Sequence, residues 1–257
     1  MNDISNRVLV WFSCGAASAC AAKLATETFD NVEILYCDTL AYEHPDNQRF
    51  ISDCEKWFNR EVKILKSEKY ADIFDVFDRT GYLVGVQGAR CTLELKKKVR
   101  QQYEKRGDKH VFGFTLDEIK RIERFELNNP ELDCIWILRD REMTKQKCID
   151  MVVGAGIGLP EMYKLGYKNN NCIGCVKGGK GYWNKIRLDF PDAFDRMAKQ
   201  ERKMGVHIIK DTFLDKLEPT AGRYHSEIEI ECGVACGVTR DKSDYSLSYD
   251  LIQVAAF

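Results

Sequence analysis

Val8-Leu9-Val10-Trp11-Phe12-Ser13-Cys14-Gly15-Ala16-Ala17-Ser18 places five β-favouring apolar residues directly before a run of small ones. A short, continuous apolar run of this kind suits a strand buried on both faces of a parallel sheet. The alanine-rich stretch that follows, residues 16–26, reads as a helix. A loop of small residues between such a strand and such a helix lets backbone approach a ligand closely, and the first helical amides favour an anion. Ser13 and Ser18 add hydroxyl donors for phosphate oxygens. The same residues also suit a tight strand-to-helix turn with no ligand, so spacing alone leaves both readings open.

Working outward, residues 32–37 read as a second strand ending at Asp38-Thr39, 62–65 as a third, 110–114 as a fourth and 135–138 as a fifth. Phe50, Ile51, Cys54, Trp57 and Phe58 recur at helical spacing, and residues 93–105 read as a charged helix. Strands alternating with helices at this spacing predict right-handed crossovers and an α/β fold with a doubly wound parallel sheet. Its ligands belong beyond the carboxyl ends of the strands. Composition changes after Val153, where Gly154, Gly156 and Gly158 precede Pro160 and a cysteine- and glycine-rich stretch. We therefore expect a nucleotide-binding domain over residues 1–153 and a smaller Cys-rich region over 154–257. The latter holds a helix over 191–203, with proline tolerated in its first turn, and a strand over 228–232.

The 39 basic and 40 acidic residues nearly cancel, so the chain offers no general attraction to nucleic-acid phosphates. No apolar run is long enough to cross a bilayer and residues 1–6 lack signal-peptide character, which predicts a cytoplasmic protein with no membrane association. Eleven cysteines in that setting argue against a disulfide scaffold and towards metal or sulfur chemistry for some of them. Cys172-x-x-Cys175 has metal-ligand spacing, and Cys232-x-x-x-Cys236 could complete a tetrahedral zinc site with it. Cys14, Cys20, Cys37, Cys54, Cys134 and Cys148 read mostly as small buried hydrophobes, with Cys14 set apart by its place in the loop.

Other chemistries find little support. There is no G-x-G-x-x-G. The near-Walker match Gly174-x4-Gly179-Lys180 has Gly181 where a magnesium-binding hydroxyl belongs. His44, His110, His207 and His225 are isolated, and no G-x-S-x-G elbow occurs. Residues 177–187 interleave Lys177, Lys180, Lys185 and Arg187 with Tyr182 and Trp183. That is either a strip for binding single-stranded nucleic acid or a loop and helix packed beside the cysteines.

The segment Ser13-Cys14-Gly15-Ala16-Ala17-Ser18 resembles the S-x-G-x-x-S loop of PP-loop ATP pyrophosphatases, in particular the phosphoadenosine-phosphosulfate (PAPS) reductase family. It departs from the common form at Cys14 and Ala17, where glycine and aspartate are usual. Four further segments extend the resemblance over roughly residues 8–187: Asp38-Thr39; Arg90-Cys91-Thr92-Leu93-Glu94-Leu95-Lys96; Gly113-Phe114-Thr115-Leu116-Asp117-Glu118 with Arg121; and Met162 to Tyr167 leading into Cys172-Ile173-Gly174-Cys175. The resemblance implies ATP and Mg2+ as ligands, held by Ser13, Cys14, Gly15, Ala16, Ala17, Ser18, Asp38, Thr39 and Gly113. It gives Lys96 and Arg121 catalytic roles beside the phosphates.

In family members with a [4Fe-4S] cluster, an early cysteine element precedes the C-x-x-C at a spacing close to that here, where Cys91 lies 81 residues before Cys172. The resemblance thus groups Cys91, Cys172 and Cys175 as cluster ligands, with Cys232, Cys236 or an exogenous group as the fourth; zinc is the alternative. Glu231-Cys232-Gly233 is similar to the element carrying the nucleophile of sulfonucleotide reductases, but Val234-Ala235-Cys236 follows it and about twenty further residues lie beyond.

The activity expected from the resemblance is adenylation of an acceptor for sulfur transfer, in modification of DNA (phosphorothioation) or tRNA. A cysteine desulfurase would donate the sulfur, and partner proteins would recruit the nucleic acid. The alternatives are a sulfonucleotide reductase with Cys232 as nucleophile, and a nucleotide-binding subunit without chemistry. Oligomeric state cannot be read from the chain.

Overall fold

In the computed structural model, which describes residues 6–85, 88–227 and 230, β1 (Val8–Trp11) is the middle strand of a five-stranded sheet. The strands in chain order are β1, β2 (Val32–Cys37), β3 (Val62–Leu65), a two-stranded antiparallel pair β4 (Val84–Gly85) and β5 (Gly88–Ala89), β6 (Lys109–Phe112) and β7 (Asp133–Ile135). The main sheet runs β3-β2-β1-β6-β7 and is parallel throughout, with Val10 opposite Ile34 on one side and Val111 on the other.

Helices cover both faces of the sheet. Val8, Val10 and Phe12 pack with α1 (Ala16–Thr28), α2 (Asn47–Phe58) and the later helices α7 (Ile137–Asp140) and α8 (Lys145–Gly154). Leu9 and Trp11 point the other way, against Val99, Ile122 and Phe125, as the period of two in a strand requires. Small side chains decide how α1 sits: Ala19, Cys20, Ala21, Ala22 and Ala25 are all fully buried, so the helix lies close over the strands and sets its first turn at their carboxyl edge.

The remaining helices are α3 (Ile73–Thr80), then α4 (Arg90–Thr92) running through a π-helical segment (Leu93–Lys97) into α5 (Lys98–Tyr103), α6 (Ile119–Asn128), α9 (Glu161–Lys164), α10 (Lys180–Asp189) and α11 (Pro191–Met204). A third apolar cluster joins Ile73, Phe77 and Leu95 to Met162, Trp183, Phe194 and Leu214, residues on both sides of the compositional change at Val153. Among the described residues no helix is long and apolar enough to cross a membrane.

The fifth strand differs from expectation. Residues 135–138 read as one run, but pairing ends at Ile135 and α7 begins at Ile137. Trp136 joins one face of the sheet while Ile137 and Leu138 both join the other. Two consecutive residues on one face cannot belong to a strand, and a short apolar run alone does not distinguish strand from buried helix. The fourth strand stops at Phe112 rather than 114. The strand expected over 228–232 lies outside the described residues, Ile230 excepted.

His110, on β6, accepts a hydrogen bond at Nδ1 from Trp11 Nε1 at 3.1 Å, which requires that nitrogen to be unprotonated. Burial, then the nearby Arg100 guanidinium, lowers its pKa from 6.5 to about 4. Above pH 6.5 the ring is neutral folded or unfolded; between 6.5 and 4 only the unfolded chain takes the proton, so stability falls as pH drops through that window. Urea unfolding at pH 7 and pH 4.5 should show wild type losing up to about 3 kcal/mol more than His110→Asn, which keeps an acceptor near the Nδ1 position.

Candidate functional site

Because β2 and β6 flank β1, the chain leaves β1 in one direction for β2 and β3 and later returns to the other side. The loops after β1 and β6 therefore diverge at the carboxyl edge, where ligands settle in parallel α/β sheets. A cavity of about 350 Å³ opens there, walled by Ser13, Gly15, Ala17 and Ser18 from one loop and by Gly113 to Thr115 from the other. That is the size of a small-molecule site.

Backbone geometry in the first loop is not that expected from its glycine. Gly15 is extended, with φ −100° and ψ 156°, and caps α1. The left-handed position is Cys14, at φ 56°, a conformation costing a residue with a Cβ about 1–2 kcal/mol. Ser18 Oγ stitches the loop closed, accepting from Ser13 N at 3.0 Å and donating to Gly15 O at 3.0 Å. Its single proton is thus committed to the loop rather than to a ligand, while Ser13 Oγ lies 3.2 Å from it. The first intrahelical bond of α1 runs from Ala19 N to Gly15 O, so the amides of Ala16, Ala17 and Ser18 have no helical acceptor. Ala16 N donates to Tyr163 Oη at 3.4 Å. The first turn carries no acidic residue, which leaves its positive end for an external anion.

Three cations line the cavity. Lys96 projects from the π-helical segment and is 9% exposed. Arg121 lies with its guanidinium carbon 4.3 Å from the Phe114 ring centroid and pairs with Glu118. Glu118 is itself held by Thr115 in a capping box. Lys145 Nζ donates to Asn169 Oδ1 at 3.0 Å, and Lys145 N donates to Asp117 Oδ2 at 2.8 Å. On the opposite wall is Glu43, 5% exposed, whose carboxylate accepts from Tyr36 Oη, Thr39 Oγ1 and Asn47 Nδ2, each at 2.6 Å.

Lys96 also lines a second, smaller cavity of about 20 Å³, whose lining includes Cys91, Cys172 and Cys175. Gly174, left-handed at φ 74°, closes the C-x-x-C turn. Tyr182 braces that turn, accepting from Cys175 N at 2.9 Å and donating to Cys172 O at 3.1 Å. Tyr182 and Trp183 are 3% and 0% exposed, so the aromatic part of the 177–187 strip is core and not a stacking platform. Among the described residues no set of three or more His, Cys, Asp or Glu side chains is arranged to hold a metal ion. The thiol donor set nonetheless suits zinc or an iron-sulfur cluster. Cys232 and Cys236 lie outside the described residues.

Of the residues singled out from sequence, Ser13, Gly15, Ala17, Ser18, Gly113, Lys96 and Arg121 wall the large cavity. Cys14 and Ala16 are buried beneath it, and burial, then the Glu43 charge, pushes the Cys14 thiol well above its ordinary range. Asp38 is not on that wall: its carboxylate accepts from Leu40 N at 3.2 Å and pairs with Lys66 at 3.2 Å. Thr39 lines the cysteine cavity. Cys20, Cys37, Cys54 and Cys148 are buried as expected of small hydrophobes. Glu43, Asn170 and Lys145 were missed. The only sequence signal was the Asn169-Asn170-Asn171 run directly before Cys172.

A Cβ on Gly113 would fall 2.7 Å from both Cα and N of Ser18, whereas one on Gly15 would meet only Tyr163 Oη and Ser13 Oγ, at 3.5 and 3.9 Å. Gly113→Ala should therefore cost about 1–3 kcal/mol. Gly15→Ala should cost less than about 1 kcal/mol, the ordinary penalty for alanine at a helix N-cap. Paired chemical-denaturation curves check this order, which reverses the importance the loop motif assigns.

No protein-family model and no curated protein sequence matches the chain, so the site's geometry and chemistry carry the functional reading.

Proposed function

We propose that the chain is a PP-loop ATP pyrophosphatase that activates an acceptor oxygen for sulfur transfer. The observation that carries this reading is the shared wall: Lys96 belongs both to the cavity at the switch point and to the one lined by Cys91, Cys172 and Cys175. One lysine thus lies between an anion-favouring helix start and a cluster of thiols.

In this reading the nucleotide phosphates lie against the amides of Ala16, Ala17 and Ser18, with Lys96 and Arg121 balancing the charge that builds as pyrophosphate departs. Attack of the acceptor oxygen on the α-phosphorus forms an adenylate and breaks the bond to the β-phosphate. A sulfur nucleophile then displaces AMP. Asp117 and Glu118 wall the cavity and would supply carboxylates for Mg2+ in place of the aspartate lacking at Ala17. Cys91, Cys172 and Cys175 would hold a [4Fe-4S] cluster, or zinc, with Cys232 or Cys236 as the fourth ligand. When bound, such a centre supplies a redox-active or Lewis-acidic group beside Lys96. A cysteine desulfurase is the matching sulfur donor. A DNA or tRNA acceptor would be brought by partner proteins, given the near-zero net charge.

Anaerobic purification followed by iron, sulfide and zinc assays, and then by pyrophosphate detection with ATP and Mg2+, tests the proposal. Replacing Cys172 and Cys175 by serine should remove the metal while ATP still binds. Lys96→Ala should weaken ATP binding roughly tenfold or more, the usual loss for a charge-assisted hydrogen bond. Sulfite release from a sulfonucleotide with thioredoxin, and none of the pyrophosphate, would transfer the site to the reductase alternative. Tight ATP binding with neither product would transfer it to the non-catalytic subunit.

A further inference from the structure

We infer that Asn170 is a positioning residue for the phosphate loop, holding Cys14 in its left-handed conformation through the Cys14 carbonyl. The inference rests on reading residues 13–18 as that loop.

Cys14 is one of only four non-glycine residues with positive φ among those described. Its side chain is fully buried in the apolar cluster under α1, so the strained conformation is fixed through the backbone. Cys14 O accepts a hydrogen bond from Asn170 Nδ2 at 2.7 Å, across 156 residues of chain. The same nitrogen donates to Asn47 Oδ1 at 2.8 Å, and Asn47 Nδ2 donates to Glu43 Oε2 at 2.6 Å. Asn47, Asn170 and Glu43 are 0%, 6% and 5% exposed.

The direction of this chain is forced. Glu43 accepts from Tyr36 Oη, Thr39 Oγ1 and Asn47 Nδ2, so Asn47 turns its NH2 to Glu43 and its oxygen to Asn170. Asn170 must then turn its NH2 both to Asn47 and to the Cys14 carbonyl. Among the described residues its own oxygen is left buried with no partner, a cost to the fold. What the asparagine provides in return is a donor aimed at Cys14. Because Asn170 stands two residues before Cys172, the cysteine turn and the phosphate loop share one rigid link.

The test compares Asn170→Ala, Cys14→Gly and the double variant. Mg-ATP affinity is read by calorimetry, and amide exchange across residues 13–19 by mass spectrometry in nucleotide-free protein. Asn170→Ala should speed exchange in the loop and raise the ATP Kd about tenfold, as expected when only a tenth of the molecules keep the competent loop. Glycine adopts the left-handed conformation without strain, so Cys14→Gly should return the Asn170→Ala protein to within about threefold of wild-type affinity and restore most of its protection. A loss equally large with either residue at position 14, or loop exchange unchanged by Asn170→Ala, would overturn the inference. If Asn170→Ala fails to fold, Asn47→Ala takes its place, because among the described residues Asn47 hydrogen-bonds Asn170, which in turn holds the loop. If wild type binds no Mg-ATP, the nucleotide reading fails by itself, and the exchange measurements still decide the role of Asn170.

Discussion

The space that a Cβ on Gly113 would need is occupied by the backbone of Ser18, and the rest of the site depends on that contact. It brings the end of β6 onto the first turn of α1, so that the two loops leaving the switch point begin in contact and diverge only beyond it. The approach is feasible because α1 buries mainly alanines and a cysteine, with Leu24 its one buried branched side chain. The strand core, the helix composition and one glycine thus solve a single problem, which is to deliver amides that lack a helical acceptor to the carboxyl edge of the sheet at a defined depth.

Delivering amides is not enough unless the loop also keeps its shape, and here the buried polar groups matter more than the apolar ones. Glu43 sits among three neutral donors on α2 and β2 and the loop between them. A buried carboxylate is tolerable when its hydrogen bonds are complete and costly when they are not. Its demand for donors orients Asn47, and Asn47 in turn orients Asn170. Conformation at Cys14 is therefore referred back, through two amides, to the donors gathered around Glu43.

Much of this was legible in the sequence, and the division follows physics. The runs 32–37 and 62–65 appear as strands with those same bounds, because continuous β-favouring runs between polar segments allow little else. Helices with sparse buried faces were not anticipated: α8 buries only Cys148 and Val152, and α6 only Ile122 and Phe125, which is too little periodicity to notice. In α10, Gly181 argues against a helix by propensity, yet a Cβ there would fall 2.4 Å from Tyr224 N. At the site, small residues and cysteines were readable because their chemistry is local. Glu43, Asn47 and Asn170 were not, since each is an ordinary surface residue type until tertiary contact buries it. Tyr182 and Trp183 failed in the opposite sense, as a surface pattern whose aromatic members turned inward.

Positive and negative charge are balanced in the large cavity. Lys96, Arg121 and Lys145 share its lining with Glu43, Asp117 and Glu118, so the walls alone present no strong net field. All three acids are engaged: Glu43 by three donors, Glu118 by its cap and Arg121, and Asp117 by the Lys145 amide. Lys96 is nearly buried and lines both cavities, where removal from water strengthens its pull on an anion. Attraction for an anion is thus concentrated at Lys96 and the start of α1. The Mg2+-nucleotide proposed above would bring the lysine its anion and the carboxylates a cation, whereas a bare anion would bring only the first.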